Sequence, residues 1–173
     1  MKKNLLFILP LFLLTSCNTN NSNSTDRPDV PAISEETGSV YFYRSYMEGT
    51  SYFKEFQKSK DDETKCYVMS LYLDNETSSS YKISKTSFKL NFDNKDNDCL
   101  FIVNSFSEEG STSSGSITIT TKKYITSTSD EKEFEKKENH YELFYIAFES
   151  RPANEEFKLT YKGVEINKDI PTA

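Results

Sequence analysis

Apolar and polar residues alternate along several stretches of the chain, and this period of two constrains the fold more than any other feature of the sequence. In the segment KCYVMSLYLDN, one alternating set comprises Tyr67, Met69, Leu71 and Leu73. A second set, in TSFKLNF, comprises Phe88, Leu90 and Phe92. Because successive side chains of a β-strand point to opposite faces, the pattern predicts half-buried strands in both segments.

Further strands are predicted from shorter apolar runs that polar turns separate. These strands cover residues 40–46, 52–57, 99–106, 116–121, 141–149 and 157–161. The run CLFIVNSF is apolar on both faces at its centre, which is typical of a strand inside a sheet. Seven or eight short strands and no convincing amphipathic helix predict an all-β fold, arranged as an antiparallel β-sandwich.

Two polar segments fit this pattern less well. Residues 107–115, SEEGSTSSG, are predicted to form a mobile loop. Residues 126–139, TSTSDEKEFEKKEN, are highly charged, and Phe134 is their only apolar anchor. This charged segment is either a projecting recognition loop or, as we favour, a solvated insertion between strands, and it could also hold a short helix.

The composition supports one folded domain and argues against a nucleic-acid partner. Of the 173 residues, 35% are hydrophobic and 14% aromatic, so a core can form despite a mean hydropathy of −0.67. The chain carries 27 acidic and 21 basic residues, for a net charge of −6. Nucleic acids are bound through clustered basic residues that displace counterions, and this sequence has no basic stripe.

The N-terminus has the three-part organisation of a secretion signal. Lys2 and Lys3 precede an apolar run from Leu5 to Leu14, and small residues then lead to Cys17. The run is only about half as long as the roughly 20 residues that a membrane-spanning helix needs. It therefore predicts a cleaved signal rather than a permanent transmembrane anchor.

The last residues of this signal, LTSC, resemble the lipobox of bacterial lipoproteins. The resemblance implies cleavage after Ser16 and diacylglyceryl transfer to the Cys17 thiol, so that acyl chains hold the protein at the membrane. The alternative is an ordinary secretory signal in which Cys17 is incidental. Cleavage removes two of the 21 basic residues and no acidic one, so the mature chain would carry a net charge of −8. Anionic headgroups would repel such a surface.

Three regions follow from these observations. Residues 1–16 are predicted to be the signal peptide, and residues 17–38 the lipidated cysteine and a flexible tether. The tether includes NTNNSNSTDRPDVP, a composition that buries too little apolar area to offset its chain entropy. Residues 39–173 are predicted to form the folded domain. The expected location is the extracytoplasmic face of a bacterial cell membrane.

Two longer stretches carry a family resemblance. The segments YVMSLYLDNETSSSYKISKTSFKL and ELFYIAFESRPANEEFKLTYKG are similar to the central strands and closing hairpin of a telokin-like, immunoglobulin-like lipoprotein domain of unknown function found in Gram-positive bacteria. The resemblance implies an immunoglobulin-like sandwich. It implies no activity, because that family has no established catalytic residues and a fold does not by itself define a function.

The residue types that catalysis requires are sparse. His140 is the only histidine, so a nucleophile with a histidine base or a zinc site with several histidines and cysteines is not expected. Residues 93–98, DNKDND, place oxygen donors at alternate positions but lack the glycine and the later glutamate of a calcium loop. With five glycines and no phosphate loop, nucleotide binding is unsupported as well. We therefore predict no catalytic residues, no metal and no cofactor.

Cys66 and Cys99 form an even pair in an exported domain, which permits a disulfide. Closing a loop of about 34 residues would stabilise the fold by roughly 3–4 kcal/mol through the lost entropy of the unfolded chain. The alternative is that both cysteines are separate buried thiols that act as small apolar residues.

Tyrosines are dense in the segment YFYRSYMEGTSYF, which contains Tyr41, Tyr43, Tyr46 and Tyr52. They would form an exposed aromatic binding patch, or they simply suit half-buried strand positions. The hypothesis that follows is a non-catalytic interaction module with a protein or envelope partner. The alternative is an accessory ligand-binding subunit of an envelope enzyme or transporter, and an enzyme is the least favoured reading.

Overall fold

The computed structural model describes residues 31–111, 120–137 and 141–166, and these residues form an almost entirely β structure. Twelve strands and one short 3₁₀ helix are present in this part of the chain, which contains no α-helix. No helix within these ranges is long and apolar enough to cross a membrane. The all-β prediction is confirmed.

The strands are numbered in chain order. They are β1 (Ala32–Glu35), β2 (Gly38–Ser45), β3 (Phe53–Gln57), β4 (Lys65–Asn75), β5 (Tyr81–Ser84), β6 (Phe88–Phe92), β7 (Lys95–Ser111), β8 (Thr120–Ser129), β9 (Glu131–Phe134), β10 (Glu142–Phe148), β11 (Lys158–Tyr161) and β12 (Val164–Ile166). The 3₁₀ helix, Lys85–Ser87, connects β5 to β6.

Strand β4 is the centre of the largest sheet. It pairs with β2 and β3 along one edge and with β10 along the other. The register aligns Tyr43, Tyr72 and Leu143 across β2, β4 and β10. Strand β10 also pairs with the middle of β7, and the first residues of β7 pair with β6, which leads on to β11 and β12. Strands β5 and β9 form a separate pair.

The sheet is not wholly antiparallel, which corrects the prediction. Gln57 of β3 pairs in parallel with Tyr124 of β8. Because β8 also pairs with β7, this contact closes a ring of strands β3, β4, β10, β7 and β8. The strand count also exceeds the predicted seven or eight, because β1, β5, β9 and β12, with three or four residues each, lie outside the predicted strands.

The folded domain begins before the predicted boundary at residue 39. Strand β1 lies inside the predicted tether, and its Ile33 pairs with Val40 and is 6% exposed. Glu35 at the end of β1 accepts hydrogen bonds from the Tyr81 hydroxyl at 2.8 Å and the Lys162 ammonium at 2.7 Å. The Lys162 contact is the main reason that the Glu35 pKa lies below its usual value. The buried side chain of Ile33 and the hydrogen-bonded carboxylate of Glu35 thus attach β1 to the folded domain.

The two polar segments are also largely strand. Residues 107–111 of the predicted loop continue β7, and its remaining residues, 112–115, lie outside the described residues. Of the strand predicted at 116–121, residues 116–119 also lie outside the described residues. Residues 126–129 belong to β8, and β9 follows, where Phe134 is 1% exposed and packs on Phe144 with ring centroids 5.4 Å apart. Charged neighbours of Phe134 pair across to β5, including Lys82 with Glu131. Phe134 is therefore part of the core. The predictions of a solvated insertion and of a short helix are wrong for residues 126–134.

The main core lies on one side of β4. It contains Met69, Leu71 and Leu73 of that strand, together with residues from β1 to β3, β5 to β7 and β9 to β12. Its centre is a cluster of four rings contributed by different strands: Phe42, Phe88, Phe144 and Tyr161. Each of these rings is 2% exposed or less.

A second, smaller core lies on the opposite side of β4. It consists of Phe56, Cys66, Val68, Val103, Ile125 and Ala147. Each of the five strands of the closed ring contributes at least one of these residues. The parallel β3–β8 contact therefore encloses a second apolar cluster, which explains why β4 is buried on both faces.

The two cores separate the cysteines, and this corrects the disulfide hypothesis. Cys66 belongs to the small core and Cys99 to the main core, and both thiols are free and buried. Burial raises the pKa of Cys66 to about 11 and that of Cys99 to about 12. The second alternative, separate buried thiols that pack as apolar residues, describes the structure.

We expect a chain that starts at Asn18 to gain two alkyl groups when it is unfolded in urea with iodoacetamide and no reductant. The folded chain at neutral pH should react far more slowly, because burial and the raised pKa values leave little thiolate. Intact-mass spectrometry measures both states. An unfolded chain that reacts only after reduction would establish the disulfide instead.

Candidate binding surface

The structure does not bring the four tyrosines predicted as a binding surface into one exposed patch. Tyr43 is fully buried and Tyr52 is 5% exposed, whereas Tyr41 is half-buried and Tyr46 is 44% exposed. Tyr41 and Tyr43 lie on one face of β2, and Tyr46 and Tyr52 flank the turn after it. The alternation and the turn thus divide the set between two surfaces.

The first surface is the side of the large sheet that faces away from the main core. We call it the tyrosine face, and it comprises Tyr41, Tyr43, Tyr72, Tyr141, Leu143 and Tyr145. Strand register builds it, because Tyr43, Tyr72 and Leu143 are directly opposite one another on three adjacent strands. It continues the side of β4 and β10 on which the small core lies.

Ring contacts hold the tyrosine face in place. Tyr43 and Tyr141 meet edge to face with centroids 5.3 Å apart. Tyr145 meets Phe106 edge to face at 5.0 Å, beside the small core. Burial raises the pKa of Tyr145, and the neighbouring Tyr72 contributes to the shift. Packing therefore holds the rings of Tyr43, Tyr141 and Tyr145.

The tyrosine face is exposed at its β10 side and carries little charge. Leu143 is 40% exposed and Tyr141 36%, and both are among the most exposed large apolar residues of the described chain. Asp74, which pairs with Tyr41 in register, is 4% exposed. The next row of the sheet is hydroxyl-bearing, and there Ser70 donates a hydrogen bond to the Ser45 carbonyl at 3.0 Å.

The second surface consists of the rings of Tyr46, Tyr52 and Phe157 and the guanidinium of Arg44, and we call it the aromatic ladder. Tyr46 stacks on Tyr52 with centroids 4.1 Å apart and planes 21° from parallel. The Arg44 guanidinium lies 4.5 Å from the centroid of Tyr52 and 5.0 Å from that of Phe157. Only the Tyr46 end of this ladder is well exposed, so it offers one ring to solvent rather than an extended face.

A polar cavity of about 280 Å³ lies beside the parallel contact of β3 and β8. Its lysines are each matched to a carboxylate: Lys65 to Glu55 at 2.6 Å, Lys122 to Glu63 at 3.6 Å, and Lys123 to Glu48 at 3.0 Å. These ion pairs balance the charge of the cavity. They place no base against a nucleophile, so the arrangement does not supply a catalytic constellation.

The remaining residues weighed for chemistry have structural roles or lie outside the described residues. Asp93 and Asn94, both with positive φ, form the two-residue turn between β6 and β7, and Asp96 accepts a hydrogen bond from Asn91 at 2.8 Å. No group of three His, Cys, Asp or Glu that could hold a metal occurs in the described ranges. Cys17 and His140 are not among the residues described.

Four members of the tyrosine face were not singled out from the sequence: Tyr72, Tyr141, Leu143 and Tyr145. A local signal existed, since Tyr141, Leu143 and Tyr145 alternate with the buried Phe144 and Ile146. That alternation does not say that β10 lies beside β4. Only the register places these residues next to Tyr72 and Tyr43.

Comparison with known proteins adds no relative, since no family model, curated protein or solved structure matches this chain. The functional argument therefore depends on the surfaces described above.

Proposed function

We propose that this protein is a lipid-anchored, extracytoplasmic binding module without catalytic activity, and that the tyrosine face is its binding surface. The observation that carries the proposal is the face itself, where Leu143 and Tyr141 are exposed beside further rings of the same sheet. Exposed apolar and aromatic patches of this kind mark sites of interaction on soluble domains.

The anchoring part of the proposal rests on the N-terminal sequence. The LTSC motif at Cys17 supplies a site for acyl chains, and the strongly acidic mature chain would not adhere to anionic lipid by itself. The tether part of the proposal likewise rests on composition, because NTNNSNSTDRPDVP is rich in Asn, Ser, Thr, Asp and Pro. An immunoglobulin-like sandwich is the finer description that we propose for the fold, supported by the packing of β6 and β11 against β2 and β10 through the four central rings.

Hydroxyl-radical footprinting on intact cells tests whether the tyrosine face is occupied. We expect Tyr141 and Leu143 to be oxidised severalfold more slowly in the anchored protein on cells than in the purified soluble domain. A bound partner would exclude radicals from these exposed side chains, whereas the fold is the same in both samples. Mass spectrometry of the peptides quantifies the rates.

Tyr46 supplies the matched control, because it is slightly more exposed than Tyr141 and Leu143 but lies on the aromatic ladder. Its rate should be unchanged between the two samples. Equal rates for Tyr141 and Leu143 in both samples would contradict the proposal, and protection of Tyr46 alone would move the binding surface to the ladder.

A further inference from the structure

Strand β1 is attached to the domain by few contacts. Within the described residues it pairs with β2 alone, over residues 32–35. Its only buried side chain is that of Ile33. A short edge strand with one apolar side chain in the core opens more readily than the strands at the centre of a sheet. One further contact can therefore decide whether β1 stays closed.

The Glu35 carboxylate makes this further contact. It accepts hydrogen bonds from Tyr81 of β5 and from Lys162 of the turn between β11 and β12. Tyr81 is in turn hydrogen-bonded to Tyr161, which belongs to the four-ring cluster and is 1% exposed. One carboxylate thus joins β1 to the β5–β9 pair and to the β11–β12 hairpin, and in the described chain neither of these pairs with β1 through its backbone.

Glu35 is the member of this cluster that changes its charge in acid. Burial raises the pKa of Tyr81 to about 12 and also raises the pKa of Tyr161, so both phenols stay neutral, and the Lys162 ammonium stays charged. The hydrogen bonds from Lys162 and Tyr81 hold the Glu35 pKa below the ordinary glutamate value of about 4.3. The carboxylate therefore stabilises the closed strand at neutral pH, and this contribution is lost as the pH falls through the Glu35 pKa.

The turn between β1 and β2 is held by contacts that do not involve Glu35. The Thr37 carbonyl accepts a hydrogen bond from the Ser78 N–H at 3.0 Å, and the Ser39 carbonyl accepts one from the Glu76 N–H at 3.0 Å. Strand β2 also keeps its own pairing with β4. Loss of the carboxylate charge therefore allows β1 to move away from β2 while the turn stays in place.

We propose that β1 is a pH-sensitive strand, held closed by the ionised Glu35 carboxylate and released when this group is protonated. Release exposes Ile33 and leaves β2 without its neighbour at residues 38–41. In the anchored protein proposed above, residues 32–37 would then lengthen the connection between Cys17 and the domain by as much as about 20 Å. Release of β1 itself depends neither on the lipid anchor nor on what binds the tyrosine face.

Hydrogen–deuterium exchange of the chain from Asn18, which keeps every described residue, tests the role of the carboxylate. Glu35→Gln retains an acceptor oxygen but not the charge. At neutral pH we expect peptides covering residues 32–39 to exchange about three- to tenfold faster in this variant, while peptides of β4 and β10 are unchanged. Glu131→Gln makes the same change in the exposed ion pair with Lys82 and should not affect residues 32–39. Unchanged exchange in Glu35→Gln, or equal acceleration in Glu131→Gln, overturns the proposal.

The pH profile distinguishes a switch from a merely structural contact. In the unchanged protein, the protection of residues 32–39, corrected for the intrinsic exchange rate, should fall in a step as the Glu35 carboxylate is protonated, and Glu35→Gln should lack this step. Lys162→Met removes the main group that lowers the Glu35 pKa, so the step should move to higher pH. Circular dichroism melting at neutral pH shows that each variant is folded. A step that persists in Glu35→Gln, or that does not move in Lys162→Met, overturns the proposal.

Discussion

Replacing Cys17 with alanine is expected to move the protein from the membrane fraction to the soluble extracytoplasmic fraction. The thiol is the atom to which a diacylglyceryl group would be attached, and alanine offers no nucleophile for that transfer. Each CH₂ of an acyl chain that is buried in the bilayer contributes about 0.8 kcal/mol to membrane binding. Two acyl chains therefore anchor a protein stably, whereas a protein without acyl chains is released. Cell fractionation with immunoblotting, together with incorporation of labelled palmitate, measures the change.

The matched control makes the same chemical change at a buried position. Cys66→Ala should leave the protein in the membrane fraction, because that thiol lies in the small core and is not accessible. A Cys17→Ala protein that stays membrane-bound would overturn the lipid anchor. The tyrosine face would then have to be examined as a membrane contact in its own right.

Phe42→Ala is expected to lower the free energy of unfolding by about 3–5 kcal/mol. The Phe42 ring lies 4.6 Å from the ring of Tyr161, 5.9 Å from that of Phe88 and 6.1 Å from that of Phe144, so its removal leaves a cavity bordered by three strands. Surrounding rings cannot collapse into this space without moving their own strands. For a domain of this size the melting temperature should fall by roughly 10 °C.

Urea unfolding followed by circular dichroism measures this loss, and Tyr46→Ala serves as the comparison. The Tyr46 ring stacks on one neighbour and is 44% exposed, so its removal should cost about 1 kcal/mol or less. Phe42→Leu should cost less than Phe42→Ala, because leucine fills part of the cavity. A Phe42→Ala protein as stable as the Tyr46→Ala protein would show that the four-ring cluster is not the centre of the core.

Strands with a clear alternation were predictable, the four-residue β11 among them, whereas β1, β5, β9 and β12 were not. The alternation in KCYVMSLYLDN predicted both the limits of β4 and the side of β4 that faces the main core, where Met69, Leu71 and Leu73 are all buried. In contrast, β9 contains a single apolar residue, Phe134, between charged neighbours. Its strand conformation depends on backbone pairing with β5 and on the space that Phe144 leaves for the ring, and neither is encoded locally.

For the tyrosine face, the composition of the surface was predictable from the sequence, but the exposure of its rings was not. The density of tyrosines in residues 41–52 was visible, but the exposure of each ring depended on what lay opposite to it. Tyr43 is buried beneath a contact with Tyr141, almost 100 residues later in the chain, while Tyr46 remains open. Burial of this kind is decided by non-local packing.

The sequence by itself determined that the described chain is built from β-strands, because the alternation of side chains across a strand is a local property of the backbone. Only the tertiary structure decided that Cys66 and Cys99 lie in different cores, that β3 and β8 close a ring, and that Tyr72 and Leu143 share a face. These features depend on which strands become neighbours and in what register. Pairing between distant segments is selected by the burial of the whole core rather than by any single stretch of residues.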